Sequence, residues 1–540
     1  MHARVALPRA MTEHPPGPDA GPAAPSDPPG GAPDPESIES LTRTTVRGIG
    51  LAGGGYVASQ ALNFIAYLIL VRLLTPRDFG LYAAGTLITA IGGLFAESGM
   101  LAALIKREDR LDEAASTAFA SLLVTGVGLT LASLALSPLI GLAFHSGQVG
   151  AVTAVLSGWL FVRALTIVPD ALLQRRFSFV RRVAVDPLGV VAYAAAAIPL
   201  AASGAGVWAM VAGAYASIIV QAVAAWIASG FRPRRRLLSW AMWRELTSFA
   251  RPLVAGEILR RATMQIDVFV LGRFSGAATL GQYRNGQMLV QQPAGLFGQV
   301  VAYVVLPAFA RISAVPGRLT AAARRAFWLT STVVFPMSLA CVPLGVPVAV
   351  IILGERWRPA GHAIAGLAGV ILGGTLLSIS GELMKAVAAL RLQLKVHAVW
   401  IWTVAITVTI AGLLWGLLGV SIALSASTCL TAAYAIARLA DAVELPRYTF
   451  FDGMTRPLIA SLVMAGAMFL FGRGVDLLGH GEVIKVLLLL CEIAVGAIVY
   501  CAVLAAIDHG RRELAVTAAR TIWGRVTATR RSAGPMANRR

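Results

Sequence analysis

The sequence predicts an all-α polytopic membrane protein with about 14 transmembrane helices, and three observations carry that reading. Apolar segments of roughly 20 residues recur from near Gly48 to near Ala506, each long enough to cross a hydrocarbon core about 30 Å thick. Hydrophobic residues make up 57% of the 540 positions and charged ones 14%, which leaves no room for a large catalytic module outside the membrane. Arginine and lysine concentrate in alternate connections between the apolar segments, as membrane topology requires.

In chain order, the first 42 residues are of a different composition. Pro15, Pro16, Pro18, Pro22, Pro25, Pro28, Pro29, Pro33 and Pro35 are interleaved with Gly, Ala and Asp, a mixture that cannot bury an apolar face. A disordered cytoplasmic tail is expected over 1–42, and the lack of an apolar h-region argues against a cleaved signal peptide. The spans then fall at 48–71, 80–105, 115–138, 149–172, 184–203 and 206–229. They continue at 247–272, 282–308, 322–353, 362–386, 394–416, 418–440, 455–473 and 484–507. A basic tail closes the chain over 509–540, with Arg511, Arg512, Arg520, Arg525, Arg530, Arg531, Arg539 and Arg540. Its first half reads equally as a surface helix on anionic lipid or as a solvated tail.

With the amino terminus inside, the inner loops hold Lys106, Arg107 and Arg110, then Arg175, Arg176, Arg181 and Arg182, then Arg232, Arg234, Arg235, Arg236 and Arg244. The remaining inner loops add Arg311, Arg318, Arg324, Arg325, Lys385, Arg391, Lys395, Arg438, Arg447 and Arg456. The outer loops hold Arg72, Arg77, Arg273, Arg356, Arg358, Arg473 and Lys485, a bias of about three to one that puts both termini in the cytoplasm. The net charge of +19 is accounted for by this topology, so nucleic acid is not an expected partner. Cys341, Cys429, Cys491 and Cys501 sit in apolar spans without C-x-x-C or His-paired spacing, and are read as small packing residues. No disulfide, metal site or cofactor is expected.

An internal repeat divides the chain. Arg72, Gly80, Tyr82 and Gly85 in RLLTPRDFGLYAAG recur as Arg273, Gly281, Tyr283 and Gly286 in RFSGAATLGQYRNG, at a constant offset of 201 residues. Both copies follow an odd-numbered span, six helices apart, so the two halves share one orientation and a pseudo-two-fold axis along the membrane normal. The expected domains are an N-terminal lobe over 43–240, a C-terminal lobe over 241–445, and two further helices over 446–508.

The stretches YLILVRLLTPRDFGLYA, SGMLAALIKREDRLDEAASTAF, ALLQRRFSFVRRVAV, GAGVWAMVAGAYASIIVQA and QIDVFVLGRFSGAATLGQYRNGQML resemble the polysaccharide and lipopolysaccharide biosynthesis flippases. These belong to the superfamily of multidrug, oligosaccharidyl-lipid and polysaccharide exporters, and the resemblance runs from about residue 45 to about 440. It implies twelve helices in two six-helix lobes around a central cavity, two extra helices, and a place in the bacterial inner membrane. It implies a transporter, not an enzyme, that moves undecaprenyl diphosphate-linked oligosaccharide from the cytoplasmic to the periplasmic leaflet by alternating access. A monomer is expected, with the lipid bilayer, the polyprenyl diphosphate-linked glycan, and a polysaccharide polymerase or glycosyltransferases as partners. The chain departs from the family at one point: the acidic residue usual before the glycine of the second span is displaced or replaced, and Glu97-Ser98-Gly99 stands there.

Within that frame, polar residues at membrane depth are the candidate site, because a charge there costs about 2.5–3.5 kcal/mol and must face a cavity or a partner. Glu257, Arg260 and Asp267 fall on one face of the seventh span, with Arg261 about 100° away. Arg260 and Arg261 are candidates for holding a lipid diphosphate through bidentate hydrogen bonds; the alternative is static neutralisation by Glu257 and a carboxylate of a neighbouring helix. Arg163 and Asp170 repeat the pattern in the fourth span, either as substrate or gate residues or as a static pair. Arg284, Gln287 and Gln291 make a polar stripe on the eighth span, fit for sugar hydroxyls, unless Arg284 only snorkels to the interface. Glu97, Asp170, Glu257 and Asp267 are the gating or ion-coupling candidates. Pro252 and Pro293 are candidate bends in the seventh and eighth spans.

Other functions compete. A lipid II flippase shares the diphosphate handle, and a cation-coupled multidrug exporter would use the same membrane carboxylates. A glycan polymerase or ligase needs acidic or histidine residues in a sizeable outer loop, and the short outer loops carry only single histidines at His145, His362 and His480. No G-x-x-x-x-G-K-[ST] loop is present for nucleotide hydrolysis.

Overall fold

The computed structural model describes residues 59–93, 104, 109–175, 179–292, 316–387, 389–443, 448–475 and 481–507. The segments 1–42 and 509–540, together with Glu97, Pro293 and His480, lie outside these residues, and the side chain of Glu257 is likewise not described. The described chain is helical throughout, in sixteen α-helices. They are α1 (Ser59–Leu73), α2 (Pro76–Gly85), α3 (87–93), α4 (Leu111–Ala143), α5 (Gly147–Arg175), α6 (Phe179–Ala202), α7 (Val207–Ser229) and α8 (Trp240–Thr263). The second set is α9 (Ile266–Phe274), α10 (276–292), α11 (Pro316–Leu353), α12 (Arg358–Gly366), α13 (Ala368–Ala386), α14 (Leu390–Ala442), α15 (Tyr448–Val475) and α16 (Glu482–Ile507).

Among the described residues eight helices are long and apolar enough to cross a membrane, or nine if α12 and α13, bent by 41°, form one span. Eight or nine crossings among the described residues do not establish the expected count of 14, but the expected spans that fall within these residues show informative breaks. The seventh, read as continuous over 247–272, is divided at Met264 and Gln265 into α8 and α9. Helix α8 runs on through Pro252, so the interruption lies further along the chain than the proline. The eleventh and twelfth spans lie in α14 on either side of Gly416, whose φ of 56° and ψ of −132° leave the helical region. Gly206, the N-cap of α7, adopts φ 57° and ψ −133°, the same turn ahead of the sixth span. Only glycine enters that region without strain, so one backbone device opens the last span of both halves.

Local chemistry places α2. Thr75 and Asp78 form a reciprocal capping box, with the Asp78 amide donating to Thr75 Oγ1 at 3.3 Å and the Thr75 amide donating to Asp78 Oδ2 at 3.0 Å. Pro76 occupies the first turn, where its missing N–H leaves nothing unsatisfied. The hairpin from α1 to α2 is then seated by Trp357, which is fully buried. Its ring stands edge-on to Phe79 and its indole N–H donates to the Val71 carbonyl at 3.3 Å.

Outward faces are apolar. Val124, Leu131 and Leu142 of α4 and Ile498 of α16 are all more than half exposed, as lipid-facing residues should be. Many helical serines and threonines return their hydroxyls to carbonyls one turn back, as Thr428 does to Leu424 and Ser461 to Pro457, which satisfies them without water; Ser338 and Ser425 instead reach carbonyls of neighbouring helices. Cys341 and Cys429 are partly buried, as the packing role requires; Cys491 and Cys501 are exposed on α16 and do not fill the core.

Candidate functional site

The repeat found in the sequence is a physical contact. Helix α2 crosses α10 at its two glycines: a β-carbon on Gly80 would lie 1.7 Å from the Ala277 carbonyl oxygen, and one on Gly281 would lie 1.8 Å from the Pro76 carbonyl oxygen. Each contact is the other displaced by the same 201 residues, so the crossing is reciprocal. The arginines of the repeat are reciprocal as well. Arg72 donates to the Ile351 and Ile352 carbonyls at 3.4 Å, while Arg273 reaches His145 Nδ1 at 2.7 Å. A guanidinium only donates, so Nδ1 of His145 accepts and its ring proton sits on Nε2. Each half thus sends the arginine after its first span to the end of its partner's third span, Arg72 to the last turn of α11 and Arg273 to His145 just beyond α4.

Behind this crossing lies a cavity of about 500 Å³. From α1 it takes Gln60, Asn63 and Tyr67; from α2 and the following turn, Phe79, Tyr82 and Thr86; from α6, Tyr193. Helix α10 supplies Arg284, Asn285, Gln287, Gln291 and Gln292. Tyr67 donates to Asn285 Oδ1 at 2.5 Å, bridging α1 and α10 across the space. On the far side of the crossing a shallower hollow is lined by Thr75, Arg77, Thr279, Gln282, His362 and Trp415.

Asp267 anchors the polar wall. Its Oδ2 accepts from the Tyr283 hydroxyl at 2.6 Å and from Gln287 Nε2 at 3.1 Å, and its Oδ1 accepts from the Val268 amide at 2.9 Å. Gln287 Oε1 in turn accepts from Arg284 Nη1 at 2.7 Å. Among the described residues no carboxylate pairs directly with Arg284. A carboxylate can only accept and a guanidinium only donate, so the two neighbours together determine which way the Gln287 amide points.

Arg284, Gln287 and Gln291 therefore line the cavity, and Asp267 stands directly behind them. Arg163, Arg260, Arg261 and Asp170 are not among its lining residues. Arg163 donates to Thr166 Oγ1 at 3.2 Å, Gln174 donates to Asp170 at 3.2 Å, and Arg260 lies 3.6 Å from the Met264 sulfur. The sequence reading missed Gln60, Asn63, Tyr67 and Tyr193. The signal for the first three was present, since their spacings of three and four match the stripe of Arg284, Gln287 and Gln291. Among the described residues no group of three His, Cys, Asp or Glu could hold a metal ion.

Comparison with known proteins gives consistent results. Residues 69–362 match the family described as Polysaccharide biosynthesis protein. The succinoglycan biosynthesis transport protein ExoT of Rhizobium meliloti (strain 1021) is 23% identical over 335 residues, covering 60% of this chain and 66% of that protein, just under two thirds of its length. The lipopolysaccharide biosynthesis protein WzxC of Escherichia coli (strain K12) is 21% identical over 398 residues, covering 71% of this chain and 78% of that one. In fold, the chain is similar to the lipid II flippase MurJ in an inward closed conformation, with a TM-score of 0.69 at 14% identity over 85% of this chain and 99% of that one.

Proposed function

The chain belongs to the polysaccharide biosynthesis protein family, and from that membership and the chemistry of its cavity we propose that it flips an undecaprenyl diphosphate-linked oligosaccharide across the bacterial inner membrane. The observation that carries this reading is the guanidinium of Arg284, the one cation among the described lining residues, set among amides and phenols in a cavity closed at one end by two helix backbones. Planar guanidinium suits the diphosphate, which it can meet with two parallel hydrogen bonds. Gln60, Asn63, Asn285 and Gln291 offer both donors and acceptors, the pairing that sugar hydroxyls need, while Tyr67, Tyr82 and Tyr193 add apolar faces with polar tips.

With the termini inside, as the loop charges favour, the crossing of α2 and α10 is the periplasmic gate and this conformation is closed to the outside. The headgroup enters from the inner leaflet, the diphosphate meets Arg284, and the two halves, 43–240 and 241–445, rock apart at the crossing to release the glycan. The polyprenyl tail stays in lipid throughout, so only the polar part of the cargo needs a cavity. The transport step makes and breaks no covalent bond. The helices of 446–508 stand outside this exchange, and the cargo is supplied and consumed by glycosyltransferases and a polymerase.

Reconstitution tests the reading. Proteoliposomes containing the full chain and undecaprenyl diphosphate-linked oligosaccharide are expected to expose the glycan to a membrane-impermeant glycosidase on the opposite leaflet, and the Arg284→Ala variant to expose little. Equal translocation by Arg284→Ala would overturn the assignment of the headgroup site. Translocation of lipid II or of cationic drugs in place of the oligosaccharide would move the function to one of its competitors.

A further inference from the structure

The two halves share a gate but not a site. At the offset of 201 residues that superposes Gly80 on Gly281, the positions of Asp267, Tyr283, Arg284 and Gln287 correspond to Ala66, Tyr82, Ala83 and Thr86. The tyrosine is repeated; the carboxylate, guanidinium and amide occur in the second half alone. A purely structural need of this helix pair would recur in both halves, because the backbone crossing recurs.

We propose that Asp267 and Gln287 form a relay that positions the Arg284 guanidinium for an anionic headgroup; this rests on the reading of Arg284 as the diphosphate site. Asp267 is only 2% exposed and is held from three sides by Val268, Tyr283 and Gln287. Its charge reaches Arg284 through the Gln287 amide, which accepts from the guanidinium while donating to the carboxylate. The counter-charge therefore stands one amide away. A carboxylate placed directly on Arg284 would occupy the paired N–H groups that a phosphate needs, and the anion would have to displace it. With an amide there, one nitrogen of the guanidinium is anchored, and among the described residues no carboxylate pairs with the others. The amide also fixes geometry: Arg284 and Asp267 hold it from its two ends, and without the carboxylate Gln287 loses the acceptor for its NH₂ and one of the two contacts that hold its oxygen against Arg284. Asp267 and Gln287 are thus positioning residues, acting on the headgroup only through Arg284.

The test is undecaprenyl diphosphate titrated onto the purified full chain in nanodiscs, comparing Arg284→Ala, Asp267→Asn, Gln287→Glu and the double variant Asp267→Asn with Arg284→Ala. The proposal expects Arg284→Ala to weaken binding on the order of tenfold or more, Asp267→Asn to weaken it several-fold, and the double variant to bind like Arg284→Ala alone. It expects Gln287→Glu, which puts the carboxylate directly against the guanidinium, to bind as poorly as Arg284→Ala. A structural role for Asp267 would instead give additive losses, and that result overturns the relay. Wild-type binding by Asp267→Asn overturns the relay while leaving the headgroup site standing, whereas wild-type binding by Arg284→Ala overturns both. Gln287→Met, which keeps volume and removes both amide contacts, serves in place of Asp267→Asn if that variant fails to fold: several-fold weaker binding supports the relay and wild-type binding overturns it.

Discussion

Gly80 and Gly281 pack backbone to backbone where α2 crosses α10, with the Gly80 nitrogen 3.0 Å from where a β-carbon of Gly281 would stand. The neighbours that a β-carbon would strike are carbonyl oxygens and amides, which cannot move aside as a side chain does. Alanine at either position is expected to raise the closed state by about 1–3 kcal/mol and to shift the population toward opening by about five- to 150-fold. The measurement is maleimide labelling from the periplasmic side of a cysteine at Ala83, in a background lacking the four native cysteines. Labelling as slow as that of the parent would show that the crossing is not the gate.

Arg284 distinguishes a fork from a point charge. Arg284→Lys keeps the positive charge but loses the planar pair of donors, and transport of lipid-linked oligosaccharide is expected to fall on the order of tenfold, with Arg284→Ala falling further. Full activity of the lysine variant in the glycosidase assay would mean that charge alone suffices and that bidentate recognition plays no part.

Trp357 is the anchor of the α1–α2 hairpin. Its replacement by alanine removes a fully buried indole and leaves a void beside Phe79, at an expected cost of about 3–5 kcal/mol. Thermal unfolding in detergent, followed by size-exclusion fluorescence, should show a clear drop. Trp357→Phe should recover much of it, because the edge-on contact persists while only the hydrogen bond to Val71 is lost.

The capping box of α2 has a smaller expected effect. Thr75→Ala and Asp78→Ala each remove one half of a reciprocal pair and should destabilise by about 1 kcal/mol. Because the two residues act on one helix end, the double variant should cost less than the sum of the singles. Additive losses in the same thermal assay would count against a shared cap.

Much of this molecule was readable before any coordinates. The all-α membrane fold follows from segment length and hydropathy alone, since lipid offers no hydrogen bonds and every crossing must satisfy its own backbone. The repeat of Arg72, Gly80 and Tyr82 in Arg273, Gly281 and Tyr283 was visible as spacing, and so was the stripe of Arg284, Gln287 and Gln291. Local sequence also carried the signals for the cap at Thr75 and for the polar face of α1, and neither entered the sequence-based expectations.

Packing decided the rest. Arg163, Arg260 and Arg284 are alike in one dimension, each a costly cation within an apolar segment, and nothing in the spacing ranks them. Which of them faces the cavity depends on the rotation of each helix against neighbours 200 residues away, set by contacts such as Gly80 against Ala277 and Tyr67 against Asn285. The same holds for Asp267, whose three hydrogen-bond partners include two from the next helix, and for the seventh span, which the hydropathy pattern shows as continuous and the fold divides at Met264. Hydropathy reports what each segment needs from its solvent; the partner that a buried polar group finds is a property of how the helices meet.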